Sequence, residues 1–214
     1  MLALSFMLLV LPPMPGVAGF DKLLQSVENR YNRARTLQAS FELTYIAPSR
    51  PRRTESGELY LRKPGRMRWN YSNPAGKVFL SDGKYIYFYS PGANRVEKMK
   101  LKESDDMRAP LAFLLGRLDF KRDFREFRVR ADTTGQWITA LPKSDRLPYR
   151  QVEFLVTAAF EIRQLKVTAQ DNSVMEYRFE REALNPPLGD ALFKFQPPPG
   201  AEVVDATASA EAER

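Results

Sequence analysis

Hydrophobic and polar residues alternate along much of the chain, and the clearest case is the segment RKPGRMRWNY. Met67, Trp69 and Tyr71 fall on one side of this segment, while Arg66 and Arg68 fall on the other. A period of two predicts a β-strand with one aromatic face and one basic, hydrated face. The aromatic face must contact either the core of the protein or something that the protein carries.

The same period predicts a series of strands separated by short turns. Asp82 and Gly83 stand between two alternating segments, which is a strong signal for a β-hairpin. The segment SDGK matches the nucleophile motif of penicillin-binding enzymes, but that chemistry needs a helix start and not a hairpin turn. The predicted strands cover residues 36–45, 58–62, 66–71, 77–81, 85–89, 95–99, 120–124, 127–131, 136–141, 149–157, 161–168 and 173–180, with a short strand around Phe193 and Phe195.

Two segments have the spacing of helices. The first runs from Asp21 to about Arg35, with Asp21 as its cap, because apolar residues recur there at intervals of three and four. The second, from Met107 to Leu118, contains RAPLAFLLGR and is apolar almost all round. A helix of this kind must be buried on most sides. Placed over the mouth of an open sheet, it would form a lid.

The ends of the chain differ in composition from the rest. Residues 1–19 carry no charged side chain and end in small residues, which predicts a secretory signal peptide. No Lys or Arg precedes the apolar run as in a typical leader, and a buried N-terminal segment is the alternative. We expect residues 20–204 to form one domain, and the Ala-, Ser- and Glu-rich residues 205–214 to be a disordered tail.

Composition excludes several classes of function. The chain has 0 His and 0 Cys, so serine–histidine and cysteine–histidine catalysis, disulfides and lipidated cysteine are impossible. No Asp-rich loop has the spacing of a calcium site. We therefore expect no enzyme, no metal and no cofactor. The net charge of +7 favours an anionic partner, although arginines that merely fill hydrated strand faces would explain it equally well.

Taken together, three segments resemble the LolA family, periplasmic carriers that move lipoproteins to the outer membrane of Gram-negative bacteria. They are RKPGRMRWNYSNPAGKVFLSDGKYIYFYSPGANRV, the apolar RAPLAFLLGR and the closing FKFQPPPGAEVV. The resemblance covers nearly all of the chain beyond the predicted leader. It implies an incomplete antiparallel β-barrel of about ten or eleven strands, with an apolar concave face covered by a lid of short helices.

The resemblance also implies a function and partners. A monomer of this family would receive acylated lipoproteins from an inner-membrane ABC-type complex and pass them to an outer-membrane acceptor, without binding nucleic acid. That acceptor shares the fold but is itself a lipoprotein, so the absence of cysteine favours the carrier. Two alternatives remain open: a periplasmic carrier of a glycolipid or another acylated molecule on the same fold, and a basic, non-catalytic β-barrel binding module.

Residue roles follow from the resemblance and from strand alternation. Lys63 stands where the family has an arginine that holds the lid shut; lysine keeps the charge without the planar fork of donors, and Arg62 or Arg66 could substitute. Met67 stands where many members have phenylalanine. The lid would contribute Leu111, Phe113, Leu114 and Leu115. The acyl-chain cavity is predicted to be lined by Phe41, Leu59, Leu61, Met67, Trp69, Tyr71, Phe79, Ile86 and Phe88.

Overall fold

The computed structural model of this chain describes residues 17–101, 118–145 and 147–205. Helix α1 spans Val17–Arg33 and helix α2, a single turn, spans Phe120–Asp123. The strands are β1 (Thr36–Ile46), β2 (Arg53–Arg62), β3 (Arg66–Asn73), β4 (Val78–Asp82), β5 (Tyr85–Ser90), β6 (Arg95–Lys100), β7 (Phe124–Asp132), β8 (Gly135–Pro142), β9 (Tyr149–Val156), β10 (Ile162–Ala169), β11 (Val174–Leu184) and β12 (Glu202–Asp205).

All of these strands belong to one sheet of 12 strands, in the order β12-β6-β5-β4-β3-β2-β1-β11-β10-β9-β8-β7. The strands at its two ends, β12 and β7, do not pair with each other, so the sheet stays open. The implied incomplete β-barrel is therefore confirmed. Its pairings are antiparallel, except that the short β12 runs parallel to β6. Sequence patterns did not indicate this parallel pair.

Helix α1 crosses the inner face of the sheet. Its buried stripe consists of Leu24, Val27 and Tyr31, which join the main hydrophobic cluster. Near its start, the ring of Phe20 lies 5.5 Å from that of Phe127 on β7. The predicted period is thus correct, although the helix begins at Val17 and not at Asp21, and ends at Arg33.

Two predicted strands are wrong. Residues 120–123 form helix α2, because the Asp119 side chain accepts a hydrogen bond from the backbone N–H of Arg122 at 2.9 Å and caps the turn. Around Phe193 the chain forms a 3₁₀ turn, Asp190–Phe193. Both segments are so short that the alternation of apolar and polar residues cannot distinguish a strand from a single helical turn.

The C-terminal segment, residues 185–201, crosses the outer face of β3 to β5. The ring of Phe195 stacks on Tyr87 at a centroid distance of 4.9 Å. Arg68 donates to the backbone carbonyl oxygen of Leu192 at 3.0 Å. Arg68, predicted to face water or a membrane-complex partner, is therefore only partly exposed, because the chain covers this part of its own outer face. Leu80, also on the outer face, is buried completely.

Several predictions fall on residues that the structure does not describe. The lid helix lies almost entirely there, with Leu111, Phe113, Leu114 and Leu115, as do residues 1–16 of the predicted leader and residues 206–214 of the predicted tail. Within the described ranges, each helix lacks the length or the apolar character that a membrane span requires.

Candidate functional site

The structure brings the predicted cavity residues together on the inner face of β1 to β5. Leu59 pairs with Trp69 across β2 and β3, and Trp69 pairs with Phe79 across β3 and β4. Phe79 in turn pairs with Phe88 on β5. Such cross-strand rows follow from the alternation of side chains, since directly paired residues point to the same face. One apolar row therefore crosses four strands.

These side chains pack against one another and against α1. All the predicted cavity residues except Phe88 are 5 % exposed or less, and Phe88 is partly buried. The ring of Phe41 lies 4.6 Å from Trp69 and 5.1 Å from Tyr71, edge to face. In this structure the apolar side chains of the inner face therefore form part of the protein's own core. The buried stripe of α1 belongs to the same cluster, so an apolar ligand that entered it would have to displace these contacts.

The same apolar face continues over the other half of the sheet, which the sequence prediction did not include. Tyr177 on β11 lies 5.9 Å from Trp69 and connects the two halves. Strand alternation in β8 to β11 was the signal that could have revealed these positions. The main members of this half are Ile138, Phe154, Leu165, Val167 and Tyr177.

A buried ion pair also lies on the inner face, and sequence reasoning missed it. Lys77 Nζ lies 2.6 Å from Glu55 Oε2, and the two residues are 8 % and 2 % exposed. The ammonium group also lies 4.4 Å from the centre of the Tyr71 ring, a cation–π contact. Alternation through Lys77, Phe79 and Ser81 was the signal that could have revealed the inward direction of this lysine. Its partner Glu55 is 22 residues away and could not be inferred locally.

A hydrogen-bonded network attaches α1 to β10 and β11. Arg30 Nη2 donates to Glu182 at 2.6 Å, and the Tyr31 hydroxyl donates to the same carboxylate at 2.7 Å. The backbone N–H of Ile162 donates to the Tyr31 hydroxyl at 2.8 Å. Burial, and secondarily the negative charge of Glu182, raise the pKa of Tyr31 well above its ordinary value.

Lys63, the predicted latch, contacts α1 on the opposite side. Its Nζ donates to the backbone carbonyl oxygen of Tyr31 at 2.8 Å, near the C-terminal end of the helix, where the helix dipole favours a cation. Burial lowers the pKa of Lys63. Arg62 and Arg66, which could have substituted for it, instead contact Asp190 on the outer face.

The residues that follow the predicted lid segment are also attached to α1. The Asn32 side chain exchanges two hydrogen bonds with the backbone of Leu118, both at 2.8 Å. Glu28 accepts a hydrogen bond from the backbone N–H of Phe120 at 2.8 Å. Any movement of α1 must therefore break these bonds or carry residues 118–120 with it.

Comparison with known sequences identifies related proteins along most of the chain. A family model described as "Outer membrane lipoprotein carrier protein LolA" matches residues 32–196. An outer-membrane lipoprotein carrier protein of Nitrosospira multiformis is 29 % identical over 187 residues, which are 87 % of this chain and 88 % of that protein. The protein of the same description from Nitrosomonas europaea is 28 % identical over 184 residues, covering 85 % and 88 %.

Comparison with solved structures supports the fold. An uncharacterized conserved protein from Thermus thermophilus superposes with a TM-score of 0.53, covering 87 % of this chain and 98 % of that one. The sequence identity is 13 %, so this similarity shows the architecture and nothing about the ligand.

Proposed function

Since the chain belongs to the LolA family of outer membrane lipoprotein carrier proteins, we propose that it is a periplasmic carrier that covers the acyl chains of lipoproteins. The observation that supports this most directly is the continuous apolar inner face, which α1 covers and which polar contacts hold closed at its rim. The family consists of carrier proteins, in agreement with the expectation that the chain is not an enzyme.

The physical need for such a carrier is large. Exposing one acyl chain of roughly 15 methylenes to water costs about 12 kcal/mol, and a lipoprotein has two or three such chains. The inner face offers Met67 and several aromatic rings, which adapt to variable apolar shapes. Because these side chains already pack together in the closed protein, uptake of an acyl chain replaces one set of apolar contacts by another. Release can then proceed without a large energy input.

Opening of the inner face requires α1 to move. Lys63 holds the end of this helix through a hydrogen bond to Tyr31. We assign to Lys63 the latch role, with the predicted lid residues Leu111, Phe113, Leu114 and Leu115 completing the cover. A lysine offers fewer aligned donors than an arginine, so this latch is weaker than the one the family's arginine would form.

The proposal includes the partners and the location of the carrier. Residues 1–19 direct export to the periplasm, and the mature domain, residues 20–204, acts as a monomer. An inner-membrane ABC-type complex loads it with acylated lipoproteins, and an outer-membrane acceptor receives them. Membership of the family supports both steps, and the net charge of +7 suits partners with acidic faces.

Native mass spectrometry tests this function. The chain is produced in a Gram-negative periplasm and purified together with whatever it has bound. A bound acylated lipoprotein is the expected result. A bound glycolipid or free lipid would keep the fold and replace the cargo, and an empty protein whose affinity for polyanions falls steeply with salt would favour the basic binding module.

Trp69→Asp sharpens the same test, because it places a charge in the middle of the apolar face. We expect at least about a tenfold loss of bound lipoprotein, since burying an unpaired carboxylate is costly. Trp137→Phe is the matched control: it changes the second tryptophan, which pairs with Arg130 and Leu155 on the opposite face of the sheet. Unchanged retention in a folded Trp69→Asp protein would overturn the proposal.

A further inference from the structure

Trp69 has a buried donor that the packing of the inner face does not satisfy. The residue is 0 % exposed, and its indole Nε1–H has no hydrogen-bond partner among the described residues. Indole can only donate, so its one polar atom is left without an acceptor. Buried donors in this condition are uncommon, and each one calls for a specific reason. A ligand that supplies the acceptor is one such reason.

The other tryptophan of the chain provides an internal comparison. The protein has 2 tryptophans, and Trp137 lies on the outer face. Its Nε1–H donates to Asp132 Oδ2 at 3.3 Å. The fold thus supplies an acceptor for the indole that faces away from the proposed cargo. At the indole that faces the cargo, the described residues supply none.

The buried ion pair of the inner face lies toward one end of β3. Beyond Trp69 in one direction come Tyr71 and then Lys77, whose carbonyl oxygen accepts from the Tyr71 backbone N–H at 3.1 Å. Lys77 carries the buried ion pair with Glu55. In the other direction come Met67 and its cross-strand partner Ser81, whose hydroxyl donates to the carbonyl oxygen of Gly65 at 2.7 Å. Trp69 therefore stands between the buried ion pair and the uncharged side chains of Met67 and Ser81.

We propose that the indole N–H of Trp69 donates a hydrogen bond to the carbonyl oxygen of a bound acyl group. The hydrocarbon chain then runs toward Met67, and the ester or amide head lies toward the Lys77–Glu55 pair. The proposal rests on the carrier function above and adds a ligand preference: acyl esters and amides bind better than ethers or plain hydrocarbons of the same chain length. In a bound lipid, the ester or amide carbonyl is the hydrogen-bond acceptor closest to the hydrocarbon chain. An ether oxygen at the same place is a weaker acceptor.

Nuclear magnetic resonance of the chain with ¹⁵N-labelled tryptophan observes this bond directly. Each indole N–H gives one signal, and Trp69→Phe assigns it. The probes are dioctanoylglycerol, a diester, and dioctylglycerol, the corresponding diether. We expect the diester to move the Trp69 indole proton downfield and the diether to leave it nearly in place, with the Trp137 signal constant in both cases.

Affinities of the same two probes give an independent readout. One neutral hydrogen bond predicts that the diester binds about two- to tenfold more tightly than the diether. Trp69→Phe keeps an aromatic ring but removes the donor, so it should abolish this preference, whereas Trp137→Phe should retain it. If Trp69→Phe does not fold, the shift of the Trp69 indole proton in the unaltered chain tests the carbonyl contact instead.

The outcomes separate the two proposals. Equal binding of diester and diether, with no shift of the Trp69 proton, would overturn the carbonyl contact and leave the carrier function standing. Binding of neither probe, together with no lipoprotein in native mass spectrometry, would overturn both.

Discussion

The two sides of α1 are attached to the sheet in different ways. On the β10–β11 side, Arg30 and Tyr31 share the Glu182 carboxylate, and the side chain that carries this carboxylate is only 7 % exposed. The same tyrosine also accepts a hydrogen bond from the backbone N–H of Ile162. On the β2–β3 side, the described side-chain contact is the bond from Lys63 to the Tyr31 carbonyl oxygen.

This difference matters because the two kinds of attachment differ in strength. A partly buried, charge-assisted network is costly to break, since each separated group keeps its desolvation penalty. A single bond from a flexible lysine to a carbonyl oxygen costs less to exchange for water than a network of several bonds. We therefore expect α1 to open first on the Lys63 side while the Arg30–Tyr31–Glu182 network still holds it. A carrier needs a cover that opens readily on one side while it stays attached on the other.

The largest effect is expected for Glu182→Ala. This substitution leaves the Arg30 guanidinium and the Tyr31 hydroxyl without their shared acceptor, and should lower the free energy of unfolding by about 2–4 kcal/mol. Urea denaturation measures this. Glu180→Ala, at an exposed position on the same strand, is the matched control and should change little. If Glu182→Ala lowered the free energy of unfolding no more than Glu180→Ala does, the Arg30–Tyr31–Glu182 network would not be the stronger attachment of α1.

An intermediate effect is expected for Tyr31→Phe, which removes the hydroxyl from the same network and should cost about 1–3 kcal/mol at neutral pH. The effect should depend on pH. The raised pKa means that the folded protein keeps the phenol proton above pH 10.0, where the unfolded chain loses it. Stability from this group is therefore complete below that pH and declines as pH rises toward the folded-state pKa.

Unfolding experiments across the alkaline range measure this dependence. The substituted protein should lose stability less steeply above pH 10.0 than the unaltered chain. Tyr149, whose pKa burial raises to about 12, is present in both proteins, so its own contribution cancels in the difference. Parallel curves for the two proteins would show that Tyr31 does not titrate as described.

The smallest effect on stability is expected for Lys63→Met, about 0.5–1.5 kcal/mol, because one hydrogen bond to a carbonyl oxygen is lost. Amide hydrogen exchange should nevertheless show faster opening of the last turn of α1, since the latch side is released. Lys63→Arg keeps a charged donor and should restore slow exchange. Exchange that stays slow in Lys63→Met would mean that the network on the other side alone governs the helix.

Much of the fold could be predicted because strand alternation is a local property. Met67, Trp69 and Tyr71 were correctly placed on one face from their spacing alone, and cross-strand pairing then brought Phe79 and Phe88 beside them. The segment Phe120–Asp123 could not be predicted in this way. Its helical turn depends on capping by Asp119, a signal too short to compete with an apparent alternation.

The sequence by itself determined which side of each strand is apolar, because every residue's direction follows from its position in a period of two. It also determined that the chain has neither histidine nor cysteine chemistry. Only the tertiary structure decided which polar groups meet: Glu55 with Lys77, Glu182 with Arg30, and Lys63 with Tyr31. These partners stand 22 to 152 residues apart, so their contacts depend on strand order and on the path of α1. The Trp69 donor, which has no acceptor in the part of the chain that the structure describes, became visible for the same reason, because a missing partner can be recognised only when the neighbours in space are known.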